Sequence, residues 1–420
     1  MAKENSELRA IAPTLVLLVA AVIINYIDRG NLALAAPLLK AEWGFSASQL
    51  GILFSAFFWS YTLMQFAVGW LVDRFSVNGV MALGFLVWSL STAATGLATG
   101  LVSLLVLRLV LGLGESVMFP ASSKICAQHL PEHARGFANG IIMAAIYWGS
   151  AVGTLGGGIL IAKYGWRPTF IAIGLVGLLW LPAWARWKPG AAVVHAHVAS
   201  AGVPSFAAIL RKRSFWGAAV GHFADNYVLY FLVSWLPYYL VQERHLSMQS
   251  MVGIAGLLYA VNSFACLATG WITDRCIKGG TSPTFARKAA MAVGAILSTL
   301  SLTACAFATE GTYLWCLNAF AIGVGTLAAG NFVFGQTLAG PAAAGRWAGM
   351  QNGFANLAGI VGPAFTGFLV DKTGHFGAAL GAAALVMIVG GVSWCFGVGK
   401  LEQVQWPDAP EDLRVARASS

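Results

Sequence analysis

Long apolar runs, separated by short polar breaks or breaks marked by Gly and Pro, follow one another along almost the entire chain. Twelve of them are about 20 residues or longer, which is the length a helix needs to cross the hydrocarbon core of a bilayer. The runs are continuous instead of alternating, which favours helices over the strands of a membrane barrel. The predicted spans are 12–38, 48–72, 79–98, 101–126, 136–162, 168–187, 214–240, 249–273, 287–307, 311–338, 346–370 and 377–398.

The composition also favours a membrane protein and excludes several other classes. Of the 420 residues, 58% are hydrophobic and 10% are charged, whereas an average soluble domain is about 25% charged. Mean hydropathy is +0.74. The six cysteines include no C-x-x-C pair, and no nucleophile–base pair or cluster of metal ligands stands out in the sequence. We therefore predict neither an enzyme nor a metal or cofactor site.

The basic residues are distributed unevenly between the two sides of the predicted membrane. With the N-terminus inside, eighteen of the 25 Lys and Arg residues fall in cytoplasmic segments and five in outer loops. This asymmetry follows the positive-inside rule for a chain with both termini in the cytoplasm. The formal net charge of +9 thus reflects topology, and no basic cluster with interleaved aromatic residues indicates a nucleic-acid partner. We predict a multi-pass protein of the cell (inner) membrane.

Two parts of the chain resemble each other at a constant offset. Residues 69–74 read Gly-Trp-Leu-Val-Asp-Arg after the second span, and residues 270–275 read Gly-Trp-Ile-Thr-Asp-Arg after the eighth span, 201 positions later. Asn25-Tyr26 recurs at the same offset as Asn226-Tyr227. Such a repeat predicts two six-helix halves related by an axis along the membrane normal.

The repeat divides the chain into two halves, a linker and a tail. They are the N-terminal six-helix half 1–187, the cytoplasmic linker 188–213, the C-terminal six-helix half 214–400 and the cytoplasmic tail 401–420. The linker contains His195 and His197, but no third ligand is near in sequence, so a metal site is not expected there.

Four ionisable residues lie inside two of the predicted spans. Asp28 and Arg29 belong to the first span. Arg108 and Glu115 belong to the fourth, seven residues apart and therefore on one helix face, about 10 Å from each other. A charge at the bilayer centre costs at least ~2.5 kcal/mol, so each of these residues indicates a functional site. A fifth, Asp225, lies in the seventh span.

These four charges sum to zero and are expected to pair across helices. One interpretation is a structural cluster that holds the N-terminal half together. The other is a coupling site, in which an entering anion competes for an arginine and the displaced carboxylate takes up a proton. Proton binding and anion binding then become coupled reciprocally. We favour coupling, because buried ion pairs stabilise proteins weakly and are costly to keep.

The two Gly-x-x-x-Asp-Arg repeats resemble the signature of the major facilitator superfamily between its helices two and three and between helices eight and nine. The resemblance implies an all-α polytopic membrane protein with twelve transmembrane helices in two pseudo-symmetric six-helix halves. It also implies that these residues clamp helix ends and stabilise a cytoplasmic gate. The residues are Gly69, Asp73, Arg74, Gly270, Asp274 and Arg275.

Longer motifs resemble the anion:cation symporter family within that superfamily. Residues 25–32 (Asn-Tyr-Ile-Asp-Arg-Gly-Asn-Leu) are similar to its first-helix signature, and residues 108–120 are similar to its fourth helix. The stretches 57–70, 222–240 and 349–363 are similar to its second, seventh and eleventh helices. The family contains bacterial sugar-acid transporters and is related to animal vesicular glutamate and sialic-acid carriers.

This narrower resemblance implies roles for residues of the N-terminal half. Asp28 and Glu115 would be the protonatable pair, and Arg108 would be the partner of Asp28, switching with its protonation. Three residues would contact the carboxylate or hydroxyls of the substrate, namely Tyr26, Arg29 and Tyr61.

In the C-terminal half the resemblance implies polar contacts to the polyol end of a substrate. Asn352 and Asn356, in the eleventh span, are the candidates. Asn331 and Gln336, in the tenth span, are either weaker candidates of the same kind or hydrogen bonds between helices.

Two features depart from family patterns. Asp225 is an additional acid, which either pairs with His222 one turn away or tunes the charge of the substrate. Residues 149–158 nearly match a motif of proton-coupled drug exporters, but Thr154 replaces the expected proline, and close helix packing explains the glycines equally well.

We therefore predict a secondary active transporter that imports a small organic anion by proton symport with alternating access. The expected substrate is a sugar acid, which means an aldonate, an aldarate or a uronate; the proton is the coupling ion, no cofactor is needed, and the protein acts as a monomer. The alternative is an antiporter for organic-anion exchange or drug efflux, but residues 214–240 lack the arginine that phosphate exchangers use, and the missing proline disfavours efflux. A membrane sensor is less favoured, because the tails are short.

Overall fold

The computed structural model describes residues 2–45, 47–189, 204–309 and 311–406. These residues form helices joined by turns, with no strand among them, as the apolar pattern predicts. His195 and His197 lie outside the described residues, together with most of the predicted linker and the end of the predicted tail.

We number the helices in chain order. They are α1 (Ala2–Trp43), α2 (Ala47–Arg74), α3 (Val77–Thr95), α4 (Leu101–Glu115), α5 (Met118–His129), α6 (Glu132–Val152), α7 (Gly158–Tyr164), α8 (Trp166–Gly177), α9 (Trp180–Trp187), α10 (Phe206–Leu210), α11 (Arg213–Tyr238), α12 (Met248–Lys278), α13 (Pro283–Phe307), α14 (Tyr313–Ala328), α15 (Val333–Thr373) and α16 (Gly377–Val392). One turn of π-helix continues α6, α11 and α16, namely Gly153–Gly157, Tyr239–Glu243 and Ser393–Gly397.

Each of the twelve predicted spans falls on helical segments. Within the described part of the chain, nine helical stretches are long and apolar enough to cross a membrane, and one of them, Tyr313–Gly362, covers the tenth and eleventh predicted spans together. The second and seventh predicted spans correspond to α2 and α11. The chain is a multi-pass membrane protein.

A sharp break divides α15 at Gly340. Its φ of 68° and ψ of 174° are non-helical and lie where only glycine fits without strain. The next residue is Pro341, which lacks an N–H and disfavours a helical conformation in the residue before it. The break therefore falls between the tenth and eleventh predicted spans.

Two compact units make up the fold, and each includes one short segment from the other half of the sequence. Unit 1 contains residues 1–130, 145–199 and 341–350; unit 2 contains residues 131–144, 200–340 and 351–420. The first turns of α6 thus belong to unit 2, and the segment of α15 that follows the Gly340 break belongs to unit 1.

Candidate functional site

An ion pair inside unit 1 joins the two helices that carry the predicted intramembrane charges. The Nε of Arg29, on α1, donates to Oε2 of Glu115, the last residue of α4, over 2.7 Å. The Glu115 side chain is fully buried, and that of Arg29 is 15% exposed. A guanidinium–carboxylate contact of this length is a charge-assisted hydrogen bond, which is stronger than a bond between neutral groups.

Three aromatic rings surround the guanidinium of Arg29. Its Cζ lies 4.8 Å from the ring centroid of Tyr26, 4.6 Å from that of Phe57 and 4.7 Å from that of Tyr61. Phe57 and Tyr61 stack on each other with centroids 5.2 Å apart. Aromatic faces attract cations, and a desolvated contact contributes about 2 kcal/mol. The cage therefore holds the cation in place while a carboxylate binds it. Tyr26, Arg29 and Tyr61, the three predicted substrate contacts of this half, lie together.

Close packing of α4 on its neighbours brings Glu115 to this cage. A Cβ at Gly112 would collide with the side chain of Ser60 and lie 2.5 Å from the Phe57 carbonyl, so only glycine lets α4 approach α2 this closely. Gly114 is packed in the same way against the backbone of Trp88 on α3. The Gly-x-Gly-Glu sequence thus places the carboxylate next to the helix that carries Phe57 and Tyr61.

Asp28 and Arg108 are also buried, with exposed fractions of 1% and 4%. Arg108 lies close enough to act electrostatically on both Asp28 and Glu115. In the described residues, however, neither Asp28 nor Arg108 forms a contact ion pair, and Oδ1 of Asp28 and Nε of Arg108 have no hydrogen-bond partner. The contact pair of the cluster is Arg29 with Glu115, whereas sequence reasoning expected Arg108 with Asp28.

Unit 2 holds the predicted polar contacts of the C-terminal half. The Tyr230 hydroxyl, on α11, donates to Oδ1 of Asn356 over 2.7 Å. Nδ2 of Asn356 donates to the carbonyl and to Oδ1 of Asn352, one turn earlier on α15, over 2.8 and 3.0 Å. The two predicted asparagines therefore form one neutral hydrogen-bonded group tied to α11.

Gln336, one of the two weaker candidates, forms an amide pair with Asn139. Each amide nitrogen donates to the oxygen of the other, over 3.1 and 3.0 Å. A reciprocal pair of this kind satisfies both buried amides. For Gln336 the structure therefore displays the second of the two expected roles, a hydrogen bond between helices.

The first predicted gate motif lies in unit 1, at the end of α2. The Asp73 carboxylate accepts from the backbone N–H groups of Gly345 and Arg346, over 3.2 and 2.6 Å, and from Nζ of Lys124 over 2.7 Å. Gly69 packs directly against the backbone of the same segment. Asp73 thus caps backbone donors near the start of the helix that follows the Gly340 break, where a negative charge is favoured.

The second copy of the motif makes the equivalent contacts in unit 2. Asp274 accepts from the N–H groups of Gly136 and Phe137, in the first turns of α6, over 3.0 and 2.7 Å. Gly270 packs against the backbone of Gly136. Arg287 lies 3.8 Å from Asp274. The two aspartates therefore have the same backbone role in the two units.

The motif arginines are placed differently from the aspartates. Arg74 and Arg275 are exposed, and the cations that contact the aspartates are Lys124 and Arg287. Both of these residues are buried, although the sequence indicates only their contribution to topology. A cation near the end of a span and far in sequence from its acid has no local signal that separates it from a charge that orients the chain.

Comparison with known proteins extends this picture. The model of the Major Facilitator Superfamily matches residues 18–339. The hexuronate transporter of Bacillus subtilis (strain 168) is 30% identical over 380 residues, which are 87% of this chain and 90% of that protein. The probable galactarate/D-glucarate transporter GarP of Escherichia coli (strain K12) is 31% identical over 427 residues, covering 93% of this chain and 96% of that protein.

Among solved structures, FucP, a Major Facilitator Superfamily transporter crystallised in the outward conformation, matches with a TM-score of 0.74. The match covers 92% of this chain and 99% of FucP at 15% sequence identity, so it concerns the fold alone. The predicted fold class is confirmed, and so is the resemblance to sugar-acid transporters of the anion:cation symporter type. The relatives and the fold indicate a transporter and not an enzyme. The chain belongs to the Major Facilitator Superfamily.

Proposed function

We propose that this protein imports a small organic anion, specifically a sugar acid of the aldonate, aldarate or uronate class, by proton symport with alternating access. The observation that carries the proposal is the buried Arg29–Glu115 ion pair inside an aromatic cage. The relatives named for hexuronate and for galactarate and D-glucarate support the substrate class. We further propose that the protein acts as a monomer in the inner membrane with both termini in the cytoplasm.

The ion pair supplies a mechanism for coupling. A substrate carboxylate that enters competes with Glu115 for the guanidinium of Arg29. When the substrate wins, Glu115 is fully buried without its cation, and the neutral acid becomes the less costly form. Proton uptake by Glu115 therefore accompanies anion binding, and release of the anion returns Glu115 to Arg29. By linkage, a proton on Glu115 raises the affinity for the anion to the same extent.

Asp28 and Arg108 provide a second charge pair for the same cycle. Arg108 acts on both carboxylates from within α4. When Glu115 is neutral, the field of Arg108 is left to Asp28 alone, so the protonation of the two acids is linked. We assign Asp28 and Glu115 as the proton-coupling pair and Arg108 as the cation that connects them.

The neutral group in unit 2 suits the other end of the substrate. Tyr230, Asn352 and Asn356 carry hydroxyl and amide groups and no charge. Such groups bind sugar hydroxyls, because each can act as donor and acceptor in turn. We assign Asn352 and Asn356 to the polyol end, while Tyr26, Arg29 and Tyr61 bind the carboxylate end.

The two aspartate caps suit a gate that opens and closes. Each of Asp73 and Asp274 binds consecutive backbone N–H groups of a helical segment from the other half of the sequence. Such contacts form and break as units, which is what alternating access requires of a gate. We assign Gly69 and Gly270 to the close approach of these segments, and the exposed Arg74 and Arg275 to the cytoplasmic surface of the same gate.

Replacement of Glu115 tests the coupling. In proteoliposomes with an inward proton gradient, we expect the wild-type protein to accumulate D-galacturonate or galactarate. Glu115→Gln should lose accumulation but retain exchange of labelled for unlabelled substrate, since the cage and Arg29 remain. The control is Glu402→Gln, at an exposed acid, which should behave as wild type.

Full accumulation by Glu115→Gln would remove the coupling assignment. Wild-type uptake that ignores the proton gradient but requires a second anion inside the vesicle would identify an exchanger instead of a symporter.

A further inference from the structure

Asp225 is a buried acid of unit 2 for which the proposed cycle has no role. It lies in the middle of α11 and is 4% exposed. Its Oδ2 accepts from the indole N–H of Trp394 over 3.1 Å. With the Asn331 amide turned so that its nitrogen faces acceptors, that nitrogen also donates to Oδ2 over 2.6 Å and to the Leu327 carbonyl over 3.2 Å. Oδ1 is buried and has no hydrogen-bond partner in the part of the chain that the structure describes.

No cation compensates this carboxylate among the described residues. The titratable neighbour of Asp225 on α11 is His222. Its Nδ1 lies 3.2 Å from Nε2 of Gln351 and does not contact Asp225. The segments packed against it contribute Trp394, in the π-helical turn after α16, and Asn331, in the turn between α14 and α15, and neither of them titrates. Lys288 donates to the carbonyl of Cys395, next to Trp394 in sequence, and makes no ion pair with Asp225.

A lone carboxylate in this position is costly when ionised. Two neutral donors on one oxygen satisfy half of its acceptor capacity, and the other oxygen is buried without a donor. Within a membrane protein, ionisable side chains are rare and indicate a functional site by default, and proton relays are one of the uses of such acids. The geometry thus supplies both a place for a proton, on Oδ1, and two bonds that hold Oδ2 while the proton comes and goes.

Hydrogen bonds connect Asp225 to the proposed sugar-binding asparagines. Nε2 of Gln351 donates to the backbone carbonyl of Asn331 over 2.6 Å, and Gln351 directly precedes Asn352 on α15. A bond to an ionised carboxylate is about twice as strong as a bond to a neutral acid. Loss of the charge on Asp225 therefore loosens Asn331, which holds Gln351, which in turn positions Asn352.

We propose that Asp225 is a second proton-binding site, located in unit 2, and that its occupancy sets the position of Asn352 through Asn331 and Gln351. The proposal rests on the proposed function, because it assigns a further proton to the same transport cycle. The step itself is simple: a proton from water binds Oδ1, Oδ2 keeps its two donors, and no other bond is made or broken.

Infrared difference spectroscopy of the purified protein between high and low pH tests the site without transport. A neutral carboxylic acid has a C=O stretching band that the carboxylate lacks. We expect bands of this kind to appear as the pH falls, and one of them, assigned to Asp225, to be missing in Asp225→Asn and present in Glu115→Gln. In Trp394→Phe, which keeps the acid but removes one bond to it, the band should shift in frequency.

The proposal would be overturned if Asp225→Asn had the same carboxylic-acid bands as the wild type, or if the band assigned to Asp225 did not change with pH. Trp394→Phe provides the answer if Asp225→Asn does not fold, since an unshifted spectrum in that variant is also a negative result.

The number of protons per substrate, measured from reversal potentials in proteoliposomes, separates this proposal from the proposed function. We expect Asp225→Asn to move one proton fewer per substrate than the wild type. An unchanged ratio overturns the role of Asp225 and leaves symport standing. Wild-type vesicles without proton-driven uptake, but with a titrating Asp225 band, overturn symport and leave the proton site standing.

Discussion

The candidate sites of the two units use different chemistry. In unit 1 the contact is an ion pair, Arg29 with Glu115, inside three aromatic rings. In unit 2 the contacts are neutral, from Tyr230 to Asn356 and from Asn356 to Asn352. A carboxylate and a guanidinium carry charges that respond to protons and to anions, whereas amides and hydroxyls do not titrate in the physiological range. We infer that the charged site in unit 1 couples protons to anion binding, and that the neutral contacts in unit 2 select the polyol, with Asp225 as a separate proton site that positions them.

The two Gly-x-x-x-Asp-Arg motifs, in contrast to the two candidate sites, make the same kind of contact in both units. Asp73 and Asp274 each accept from two consecutive backbone N–H groups, and a glycine four residues earlier packs against the same segment. Backbone donors are present whatever the side chain, so this contact tolerates sequence divergence around it. A duplicated chain can therefore keep the same backbone contact in both units while its charged and neutral sites differ.

Removal of the cage cation should have the largest effect on this comparison. Arg29→Ala should lower affinity for a sugar acid by about 100-fold or more, because loss of one partner of a buried charge pair costs about 3–5 kcal/mol. Arg29→Lys should not restore binding, since an ammonium lacks the planar fork that stacks in the cage and grips a carboxylate. The measurement is ligand-induced thermal stabilisation of purified protein.

Arg186→Ala is the matched control for Arg29→Ala, because Arg186 is an exposed arginine of the same unit and has no role in the proposed cycle. Its affinity should equal that of the wild type. Unchanged affinity in Arg29→Ala would mean that unit 1 does not bind the carboxylate, and the division of labour would fail.

The helices were predictable from the sequence, while the partners of the charges were not. The length of an apolar run and a Gly or Pro at its end are local signals. Every predicted span falls on helical segments, and Gly340 and Pro341 lie at the break between the tenth and eleventh predicted spans. The contact between Arg29 and Glu115 depends on how α1 and α4 are rotated about their own axes, and the two residues are 86 positions apart in sequence. The pattern of apolar residues within either helix does not predict that rotation.

The hydrogen-bond partners of Asp225 were likewise not predictable from the sequence. Its bond to Trp394 joins residues 169 positions apart, and an aromatic residue near a helix end is usually taken for a membrane-interface anchor. In the sequence, Lys124 and Arg287 likewise cannot be distinguished from the charges that orient the chain in the membrane. Only their burial in the structure distinguishes them. Burial and tertiary pairing, not residue type, separate these residues from their neighbours.

Neutralisation of the two gate aspartates should give unequal results despite their similar backbone contacts. Asp73→Asn leaves Lys124 buried without its anion and should cost about 3 kcal/mol of stability. Asp274→Asn should cost about 1 kcal/mol, because Arg287 keeps its 2.6 Å contact with Glu132. Melting temperatures of both variants in one detergent measure the difference.

Arg186→Gln in unit 1 and Arg211→Gln in unit 2 serve as controls for this pair. Both arginines are exposed and neither is assigned to the gate, so the melting temperature should be unchanged. Equal melting temperatures for Asp73→Asn and Asp274→Asn would show that the side-chain cations contribute little and that the backbone contacts alone stabilise both copies.

The smallest expected effect, and the sharpest test of the division between the units, is that of Tyr230→Phe. It removes one neutral hydrogen bond to Asn356, which keeps its bonds to Asn352. Such a bond contributes about 0.5–1.5 kcal/mol, so affinity should fall by about two- to tenfold. Tyr164→Phe, at an exposed tyrosine, should change nothing. Because Tyr230→Phe leaves Arg29 and Glu115 unchanged, the dependence of uptake on the proton gradient should persist in this variant at saturating substrate. A variant that binds nearly normally but no longer responds to the gradient would make the neutral polyol contacts themselves part of the coupling, and the contrast between a charged and a neutral site would no longer explain the cycle.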